Sequence, residues 1–515
     1  MDSDERAGEG SNYRHFSRRK FVAGAAAVSA GAVVGSQLPT VAHAAPEGGL
    51  HGAELRGMYL TSKNRLAEGR FGLMFKRLPA FAPPTDLLDT LASTMVEPTT
   101  GDEFLATGSR LFAGFTFIGQ FIDHDITLDT TPLTKQQADP DATVNFRTAR
   151  YDLDSVYGRG PTDDPQFYDP ADRDKLLLAT NTNGVLDVPR DGNRAIIGDR
   201  RNDENLIIVQ FHKAIAQFHN QIVKYARDQG MRKEWVFETA RRLTRWHYQW
   251  AVIHDFLPRF VGDGLVGTSG TVYKEVPGKS PVINLLYYKP TNKDDRPFMP
   301  VEFAVAAYRF GHSLIRPFYI INDSGVVDIF GAEGGRNLNG GRPIPSDLVI
   351  DWKNILPDLG NSNARKPRKI DTKLSIPLAN LPGSAVPPPD PTIQLAVRNN
   401  RRGKQVGLPS GQQVAKAMRV TALSNNELGL TQSGWGGEAP LWFYILKEAE
   451  LPPYNGNQLG PVGGRIMAET LVGLLQRDPN SYLYLDPAWK PTPPIANSTT
   501  GKFEFSDLLK FAGAA

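Results

Sequence analysis

Two segments set a histidine among apolar residues and beside other groups that can do chemistry. The first is Gly119–Asp125, which reads GQFIDHD, and the second is Arg309–Ser313, which reads RFGHS. In the first segment Gln120 and His124 stand four residues apart and would share one face of a helix, while the two flanking aspartates point elsewhere. Buried polar groups need partners or a function, and a histidine can bind a metal or move a proton.

The composition is that of an ordinary globular protein. The chain has 515 residues, of which 40% are apolar, and Lys plus Arg exceeds Asp plus Glu by three. No basic stripe stands out, so a nucleic-acid partner is not expected. Cysteine is absent, which excludes disulfides, thiolate nucleophiles and iron–sulfur clusters. Any bound metal must therefore be held by histidine, tyrosine, methionine or carboxylate groups.

Residues 1–44 are predicted to be a targeting segment. The sequence SRRKFV at residues 17–22 precedes an alanine-rich apolar run to about Val34, and Ala42-His43-Ala44 precedes Ala45. This pattern is typical of a twin-arginine signal peptide with its cleavage site, and it predicts export to the periplasm or beyond the cell. The alternatives are an ordinary secretory signal or a basic N-terminal tail. The apolar run is too short and too weakly apolar for a stable membrane span.

The spacing of apolar residues predicts a mainly α-helical fold with long irregular loops and little strand. Glycine, proline and polar residues make residues 45–103 an expected irregular arm, and residues 104–515 are expected to form one large domain. Residues 322–395 should be loops with short helical turns. Helices are predicted at 102–128, 204–229, 233–260, 300–315, 412–423, 439–451 and 464–476.

Two further patterns are better explained by structure than by function. Gly262–Gly267 fits the GxGxxG spelling of dinucleotide-binding loops, but it follows a predicted helix and not a strand, so we discount it. His212 and His219 share a helical face and could suggest metal ligands. We expect packing or hydrogen bonding for both.

The residues around His124 also suit chemistry on a peroxide. Such a reaction needs a base that moves a proton between the two oxygens and a fixed positive charge that stabilises the separating oxygen. His124 could be the base, and Arg200 and Arg201, which open a predicted helix, could supply the charge. Taken alone, a buried histidine is more often a satisfied core residue.

These motifs, in this order, resemble the animal-type haem peroxidases, the family of myeloperoxidase, lactoperoxidase and peroxidasin. The resemblance extends over most of residues 105–475. It implies a haem b cofactor, with His124 as the acid–base residue on the distal side and Gln120 beside the peroxide or halide position. It also implies that Asp123 forms an ester with a haem methyl group.

Gly198–Asn205, which reads GDRRNDEN, resembles the family pattern Gly-Asp-x-Arg-x-x-Glu. The resemblance implies that Arg201 is the distal arginine and that Glu204 is the second ester link to haem. Asn205 stands where myeloperoxidase has a methionine that bonds to haem, so that third linkage should be missing. Alternatively, Asp203 and Glu204 are only carboxylates favoured by the first turn of a helix.

The segment Thr148–Gly158, which reads TARYDLDSVYG, resembles the calcium loop of the family. An extended strand would turn alternate residues to one side. Oxygen ligands suit calcium, and the implied set is Asp125, Thr148, the carbonyl of Arg150, Asp152 and Asp154. Asp154 replaces a serine and Arg150 an aromatic residue of the mammalian members, which alters the charge balance of the site. The alternative is an exposed acidic turn.

Tyr308–His312, which reads YRFGH, resembles the proximal segment of the family and implies that His312 binds the haem iron. The second ring nitrogen of such a ligand needs an acceptor. Asn399 fits that role in a segment that matches Asn-x-x-Arg before Gly-Leu-Pro, and Asn400 is the competing candidate. The arginines implied to bind the haem propionates are Arg309 and Arg402.

The implied reaction is a peroxidase reaction, in which hydrogen peroxide oxidises a halide, a pseudohalide or a phenol-like donor through a ferryl intermediate. Hydrogen peroxide and a small reducing substrate are the expected partners. One alternative is a fatty-acid dioxygenase of the cyclooxygenase-like branch, in which a radical tyrosine stands three positions before the proximal histidine; here that position is Arg309. Another is an exported adhesion or matrix-binding protein without turnover.

Overall fold

The computed structural model describes residues 71–98, 109–128, 147–290, 297–332, 334–381, 393–431, 434–497 and 499–515. The predicted signal peptide lies outside these residues and stays a prediction. Helices dominate the described part of the chain, which confirms the predicted mainly α fold. The α-helices are α1 (Thr85–Thr94), α2 (Gly114–Ile126), α3 (Asp154–Tyr157), α4 (Leu206–Asp228), α5 (Lys233–Ala251), α6 (Leu257–Val261), α7 (Leu395–Gln405), α8 (Gly411–Ala417), α9 (Asn425–Leu428), α10 (Leu441–Glu450), α11 (Pro461–Arg477), α12 (Tyr482–Leu485) and α13 (Phe505–Ala512).

The strands are short and form small ladders of two or three strands. They are β1 (Phe71–Gly72), β2 (Ala179–Thr180), β3 (Leu186–Asp187), β4 (Arg190–Asp191), β5 (Arg194–Ala195), β6 (Val266–Gly267), β7 (Tyr273–Lys274), β8 (Val282–Ile283), β9 (Met299–Pro300), β10 (Phe318–Ile320) and β11 (Val326–Asp328). β1 pairs in parallel with β9, with Phe71 opposite Met299. β2–β3, β4–β5 and β10–β11 are antiparallel pairs, and β6–β7–β8 is a mixed sheet.

Helix α4 is the centre of the fold. Its apolar residues recur at helical spacing, so most of its length is buried, and it packs against α2, α5 and α13. The side chain of Asn205 caps its first turn by accepting a hydrogen bond from the Ile207 N–H, and Gly230, with φ 71°, ends it. The prediction of a helix over 204–229 is therefore confirmed within two residues.

Helix α2 begins at Gly114, so the prediction that it starts at 102 was wrong for residues 109–113. The N–H groups of Ala113 and Gly114 donate instead to carbonyls of a loop, those of Arg365 and Ile355. Gly114 packs so closely on that loop that a Cβ atom would lie 2.7 Å from the Leu356 side chain. Such close packing fixes the start of the helix by contacts far away in sequence.

The predicted helix over 233–260 is interrupted by one wide turn. After α5, residues Val252–Phe256 form a π-helix that leads into α6. Pro258 lies in the first turn of α6 and has no N–H to donate back to the preceding turn, which explains the change of hydrogen-bond pattern. Gly262–Gly267 follows the end of α6, which confirms that this segment comes after a helix and not after a strand.

The segment predicted as one α-helix over 300–315 is helical but not α. It forms a π-helix at Glu302–Ala306 and then a 3₁₀-helix at Ala307–Leu314. Side chains use carbonyls that an α-helix would engage: Arg309 Nε donates to the Ala304 carbonyl at 3.0 Å, and Trp442 Nε1 donates to the Arg309 carbonyl at 3.2 Å.

The described part of the predicted arm, residues 71–98, is more ordered than expected. It contains the ten-residue helix α1, which packs against α7. The buried carboxylate of Glu302 accepts hydrogen bonds from the N–H groups of Met74 (3.1 Å) and Phe75 (2.9 Å), which ties this segment to the segment before His312. None of the helices in the described ranges is long and apolar enough to cross a membrane.

Candidate active site

The fold brings the two histidine segments together. Helix α2, which carries His124, packs against the 3₁₀-helix that carries His312. Tyr308 Oη donates a hydrogen bond to the Gly119 carbonyl at 3.0 Å, and a Cβ atom at Gly119 would lie 3.1 Å from the Phe256 ring. Glycine at this position therefore permits the close packing of α2 against the π-helix Val252–Phe256.

Each histidine segment has one face that is not fully buried. In α2 all residues are buried except Gln120 and Asp123, which are half-buried and lie three residues apart. In the 3₁₀-helix, Arg309 and His312 are half-buried and also lie three residues apart. The positive charge of Arg309 acts on Asp123, so these two faces lie near each other. These four polar side chains are the candidates to line a binding site.

Arg201 is fixed beside His124 by a short turn. Asp199 caps this turn, the 3₁₀-helix Arg200–Asp203, by accepting a hydrogen bond from the Arg201 N–H. Arg201 Nη2 donates to the carbonyls of His124 (2.9 Å) and Thr127 (2.7 Å) at the end of α2, and to Asp199 Oδ2 at 2.8 Å. A cation at a helix C-terminus is favourable. Burial lowers the pKa of Arg201, and nearby carboxylates act against that shift.

Two of those carboxylates are the residues predicted to form ester links. Asp123 and Glu204 both act on Arg201 as opposite charges. Burial raises the pKa of Asp123, while the charges of Arg201, Arg309 and Arg402 lower it. Asp123 Oδ1 also accepts a hydrogen bond from a threonine hydroxyl of its own helix at 3.1 Å. The predicted distal arginine and the two predicted propionate-binding arginines thus all act electrostatically on Asp123.

Asn399 is the asparagine that contacts His312. Its Nδ2 lies 2.8 Å from His312 Nδ1, whereas Asn400 turns its amide to the sulfur of Met95. Arg309 Nη1 donates to Asn399 Oδ1 at 2.6 Å. Because a guanidinium can only donate, the amide of Asn399 presents its donor to His312, and not the acceptor that the sequence led us to expect. Burial, then Arg309 and Arg398, lower the pKa of His312 to about 3, so the imidazole is neutral.

The predicted calcium ligands form a compact acidic cluster. Carboxylate oxygens of Asp125, Asp152 and Asp154 lie within 4.8 Å of one another. Asp125 is fully buried, and among the described residues neither of its oxygens accepts a hydrogen bond of ordinary geometry. Burial and the two neighbouring aspartates raise its pKa well above the usual range. Thr148 Oγ1 donates to Asp152 Oδ2 at 2.7 Å.

The loop reaches this arrangement by a turn and not by the extended strand that we expected. Leu153 adopts a left-handed conformation (φ 52°), after which Asp154 starts α3. Arg147 Nη1 donates to Asp154 Oδ1 at 3.0 Å, which offsets part of the negative charge. The Arg150 side chain points to Asp478, with Nε 3.8 Å from Oδ1, and so leaves only its carbonyl as a candidate ligand.

Comparison with known proteins identifies the family. The sequence matches the family model for animal haem peroxidases over residues 130–427, which is more than half of the chain. This chain belongs to the animal haem peroxidase family. The matched range includes Arg201, Glu204, His312 and Asn399, while His124 lies just before it. None of the curated proteins matches the sequence at a significant level.

Solved structures of the peroxidase–cyclooxygenase superfamily share the fold. Peroxidase A of Dictyostelium discoideum is similar with a TM-score of 0.58 and 15% identity, covering 86% of this chain and 91% of that one. The fatty acid α-dioxygenase of Arabidopsis thaliana has a TM-score of 0.53 and 15% identity, covering 84% and 76%. The enzyme of Oryza sativa has a TM-score of 0.53 and 13% identity, covering 80% and 78%.

Two buried side chains near these residues received no predicted role from the sequence. Asn202 lies between His124 and His212 and contacts both rings. Tyr308 joins the two histidine segments. His212 was noted for its place on a helical face, and its predicted role in packing or hydrogen bonding is confirmed. His219 likewise contacts the Tyr157 hydroxyl at 2.9 Å.

Proposed function

We propose that this member of the family is a haem-dependent peroxidase, which uses hydrogen peroxide to oxidise a halide, a pseudohalide or a phenol-like donor. The observation that carries the proposal is the pairing of two half-buried faces on otherwise buried segments. Gln120 and Asp123 line one face, and Arg309 and His312 line the other. Polar and charged side chains that stay largely buried are costly unless they have partners, and a group bound between the two faces would supply partners.

The residues on and beside these two faces suit haem b. His312 is neutral and half-buried, and neutral imidazole is the form that binds iron. The backbone beside it is open, since a Cβ atom at Gly311 would meet nothing within 4 Å. Arg309 and Arg402 offer positive charges for propionates. Bound haem would supply the redox chemistry, by accepting oxidising equivalents from the peroxide and passing them to the donor.

Binding of iron through His312 Nε2 requires the ring proton on Nδ1, so Asn399 would have to turn its amide and present Oδ1. Its present orientation is held by Arg309, whose Nη1 donates to Oδ1. A propionate that draws Arg309 away would release that constraint. The two predicted roles, propionate binding by Arg309 and support of His312 by Asn399, would then depend on each other.

On the distal side, His124 would take a proton from one oxygen of hydrogen peroxide and return it to the other, so that water can leave. A positioned acid–base group contributes ~10²- to 10⁴-fold. Arg201, held by Asp199 and by the end of α2, would stabilise the charge that develops as the two oxygens separate. Gln120, one turn before His124, would line the position of the peroxide or halide.

We propose that Asp123 and Glu204 attach haem covalently through ester bonds, and that Asp125, Thr148, the Arg150 carbonyl, Asp152 and Asp154 bind calcium. The ester links are supported by the position of both carboxyl groups around Arg201. The calcium site is supported by the unsatisfied, fully buried carboxylate of Asp125. A cluster of buried carboxylates is costly without a cation.

The first experiment is an absorption spectrum of the purified chain followed by steady-state turnover with hydrogen peroxide. A haem Soret band and turnover of iodide or a phenol are expected. His124→Ala should retain the band and lose turnover by ~10²-fold or more. His247→Ala is the matched control, because His247 is equally buried but lies in an aromatic cluster outside the site. Full turnover by His124→Ala would contradict the assigned base.

A fatty-acid dioxygenase is the second candidate, because solved α-dioxygenases share the fold. One of these structures, from Oryza sativa, is of a tyrosine-to-phenylalanine variant with palmitic acid. Oxygen uptake with palmitic acid, without added peroxide, would favour this alternative. A non-catalytic exported adhesion protein would show neither activity and no haem.

A further inference from the structure

Asn202 joins two buried histidines, His124 and His212. Its Oδ1 lies 2.9 Å from His124 Nδ1, and its Nδ2 lies 3.1 Å from His212 Nδ1. The exposed fractions are 0% for Asn202, 4% for His124 and 3% for His212. A buried polar row of this kind must be consistent in its donors and acceptors, because an unmatched group here would be costly.

The amide group of Asn202 determines which partner donates and which accepts in each of these hydrogen bonds. An amide oxygen can only accept and an amide nitrogen can only donate. His124 Nδ1 must therefore carry a proton, whereas His212 Nδ1 must be an acceptor. A neutral imidazole holds a single proton, so His124 Nε2 is unprotonated and can accept a proton. That is the protonation pattern that a general base needs.

We propose that Asn202, oriented by His212, is a positioning residue that fixes the tautomer of His124 with its proton on Nδ1 and its base on Nε2. The proposal rests on the peroxidase function proposed above. His212 determines which way the amide of Asn202 faces. The reverse orientation would put the proton of His124 on Nε2 and remove the base.

The surroundings hold all three groups in place. Asn202 follows Arg201 directly in the capped turn Arg200–Asp203, so one turn delivers both the cation and the group that orients the base. The His212 ring stands edge-on to Phe121, with ring centroids 6.2 Å apart, and Phe121 packs in turn against Phe211. These contacts restrict rotation of the His212 ring.

The kinetic test compares Asn202→Leu with Asn202→Asp. Leucine has a similar volume but accepts no hydrogen bond, so both tautomers of His124 would be populated. We expect the rate constant for the reaction with hydrogen peroxide to fall ~10- to 100-fold, within the range for general acid–base catalysis. The rate constant for donor oxidation and the haem content should stay within about twofold. Aspartate keeps an acceptor toward His124 and should restore at least half of the lost peroxide rate on a logarithmic scale.

A merely structural role would lower stability, haem content and both rate constants together, and that result would overturn the proposal. An Asn202→Leu variant with the peroxide rate of the wild type would overturn it as well. His212→Leu removes the acceptor that orients the amide and should lower the peroxide rate by less than Asn202→Leu does.

A second readout does not depend on activity. ¹⁵N NMR of the full chain labelled in histidine, in its diamagnetic ferrous form with carbon monoxide, distinguishes protonated from unprotonated ring nitrogens. His124, assigned by comparison with His124→Ala, should show a protonated Nδ1 and an unprotonated Nε2. The opposite pattern would overturn the proposal. If the chain binds no haem, the proposed function fails, yet the same spectrum of the haem-free protein still tests the tautomer.

Discussion

Replacing Asp125 by asparagine should change the response of this protein to calcium in a way that no ordinary core mutation would. Asp125 is fully buried beside Asp152 and Asp154, and its carboxylate oxygens lack hydrogen bonds of ordinary geometry within the described structure. Burial and the charge of Asp154 raise the pKa of Asp152 to about 6. The folded chain therefore carries an electrostatic cost that a bound cation would remove.

The size of that cost follows from the geometry. Two unit charges 4.8 Å apart, the upper limit within this cluster, repel by ~3 kcal/mol at an effective dielectric constant of ~20. The ion pair between Arg147 and Asp154 offsets part of it. Without calcium, Asp125→Asn should thus be more stable than the wild type by ~1–3 kcal/mol. With calcium at ~100 times its Kd, the wild type should gain ~2.7 kcal/mol that the variant cannot.

Thermal unfolding in a calcium chelator and in millimolar calcium measures both effects. The order of stability should reverse: the variant should have the higher Tm in chelator and the wild type in calcium. Asp255→Asn is the matched control, because Asp255 is also buried but pairs with Arg259 outside the cluster; it should lose stability equally in both buffers. If Asp125→Asn is destabilised by the same amount with and without calcium, the cluster is not a cation site.

Three further predictions concern the buried carboxyl group of Glu448, the link between the histidine segments and haem attachment. Burial raises the pKa of Glu448 from 4.5 to about 8, so between these pH values Glu448 is ionised in the unfolded chain and neutral in the folded chain. Relative to Glu448→Gln, the wild type should therefore lose up to ~1.4 kcal/mol of stability per pH unit as the pH rises from 5 to 8. Urea unfolding measures this, and a difference that stays constant with pH would contradict it. Tyr308→Phe removes the hydrogen bond that the hydroxyl donates to the Gly119 carbonyl, and should cost ~1 kcal/mol in the same assay while peroxide turnover persists. Lost turnover at unchanged stability would make Tyr308 a reacting group. Haem that resists extraction by acidified organic solvent from the wild type should be released from the double variant Asp123→Asn/Glu204→Gln, and freely extractable wild-type haem would argue against ester links.

Elements whose pattern is local were predictable from the sequence. Helix α4 was found within two residues because its apolar periodicity and its stop signal, Gly230, lie in or beside the helix. The predictions over 439–451 and 464–476 correspond to α10 and α11 for the same reason. The prediction over 412–423 was too long, because α8 ends at Ala417.

Elements that depend on distant contacts were not predictable. Helix α7 is rich in arginine and asparagine, so its sequence has no continuous apolar face, and it forms where Asn399 meets the His312 segment and where α1 packs. Helix α13 was not predicted, although Phe505 and Leu508 are fully buried against α4. Its burial depends on a partner nearly 300 residues earlier in the chain.

The same difference between local patterns and distant contacts applies to the candidate site. Spacing and resemblance identified the residues with chemistry, since a motif records residue types. The partners that set their protonation states are not in the motifs: Asn202 is one of several polar residues in its turn, and only the fold shows that it lies between His124 and His212. The orientation of Asn399 likewise depends on Arg309, 90 residues away.

The kind of helix around His312 bears directly on the choice between peroxidase and dioxygenase. In an α-helix, each residue rotates by ~100°, so Tyr308, four residues before His312, would lie within ~40° of it and could face the same space. In the 3₁₀-helix that the chain forms, each residue rotates by ~120°, so Tyr308 lies ~120° away while Arg309 lies directly in line with His312. The hydroxyl of Tyr308 donates a hydrogen bond to the Gly119 carbonyl instead. Arg309 stands at the position three residues before His312, where the cyclooxygenase-like branch has its radical tyrosine. If His312 binds the haem iron as proposed, the 3₁₀ conformation would place the Arg309 cation, and not the Tyr308 hydroxyl, on the same side as His312.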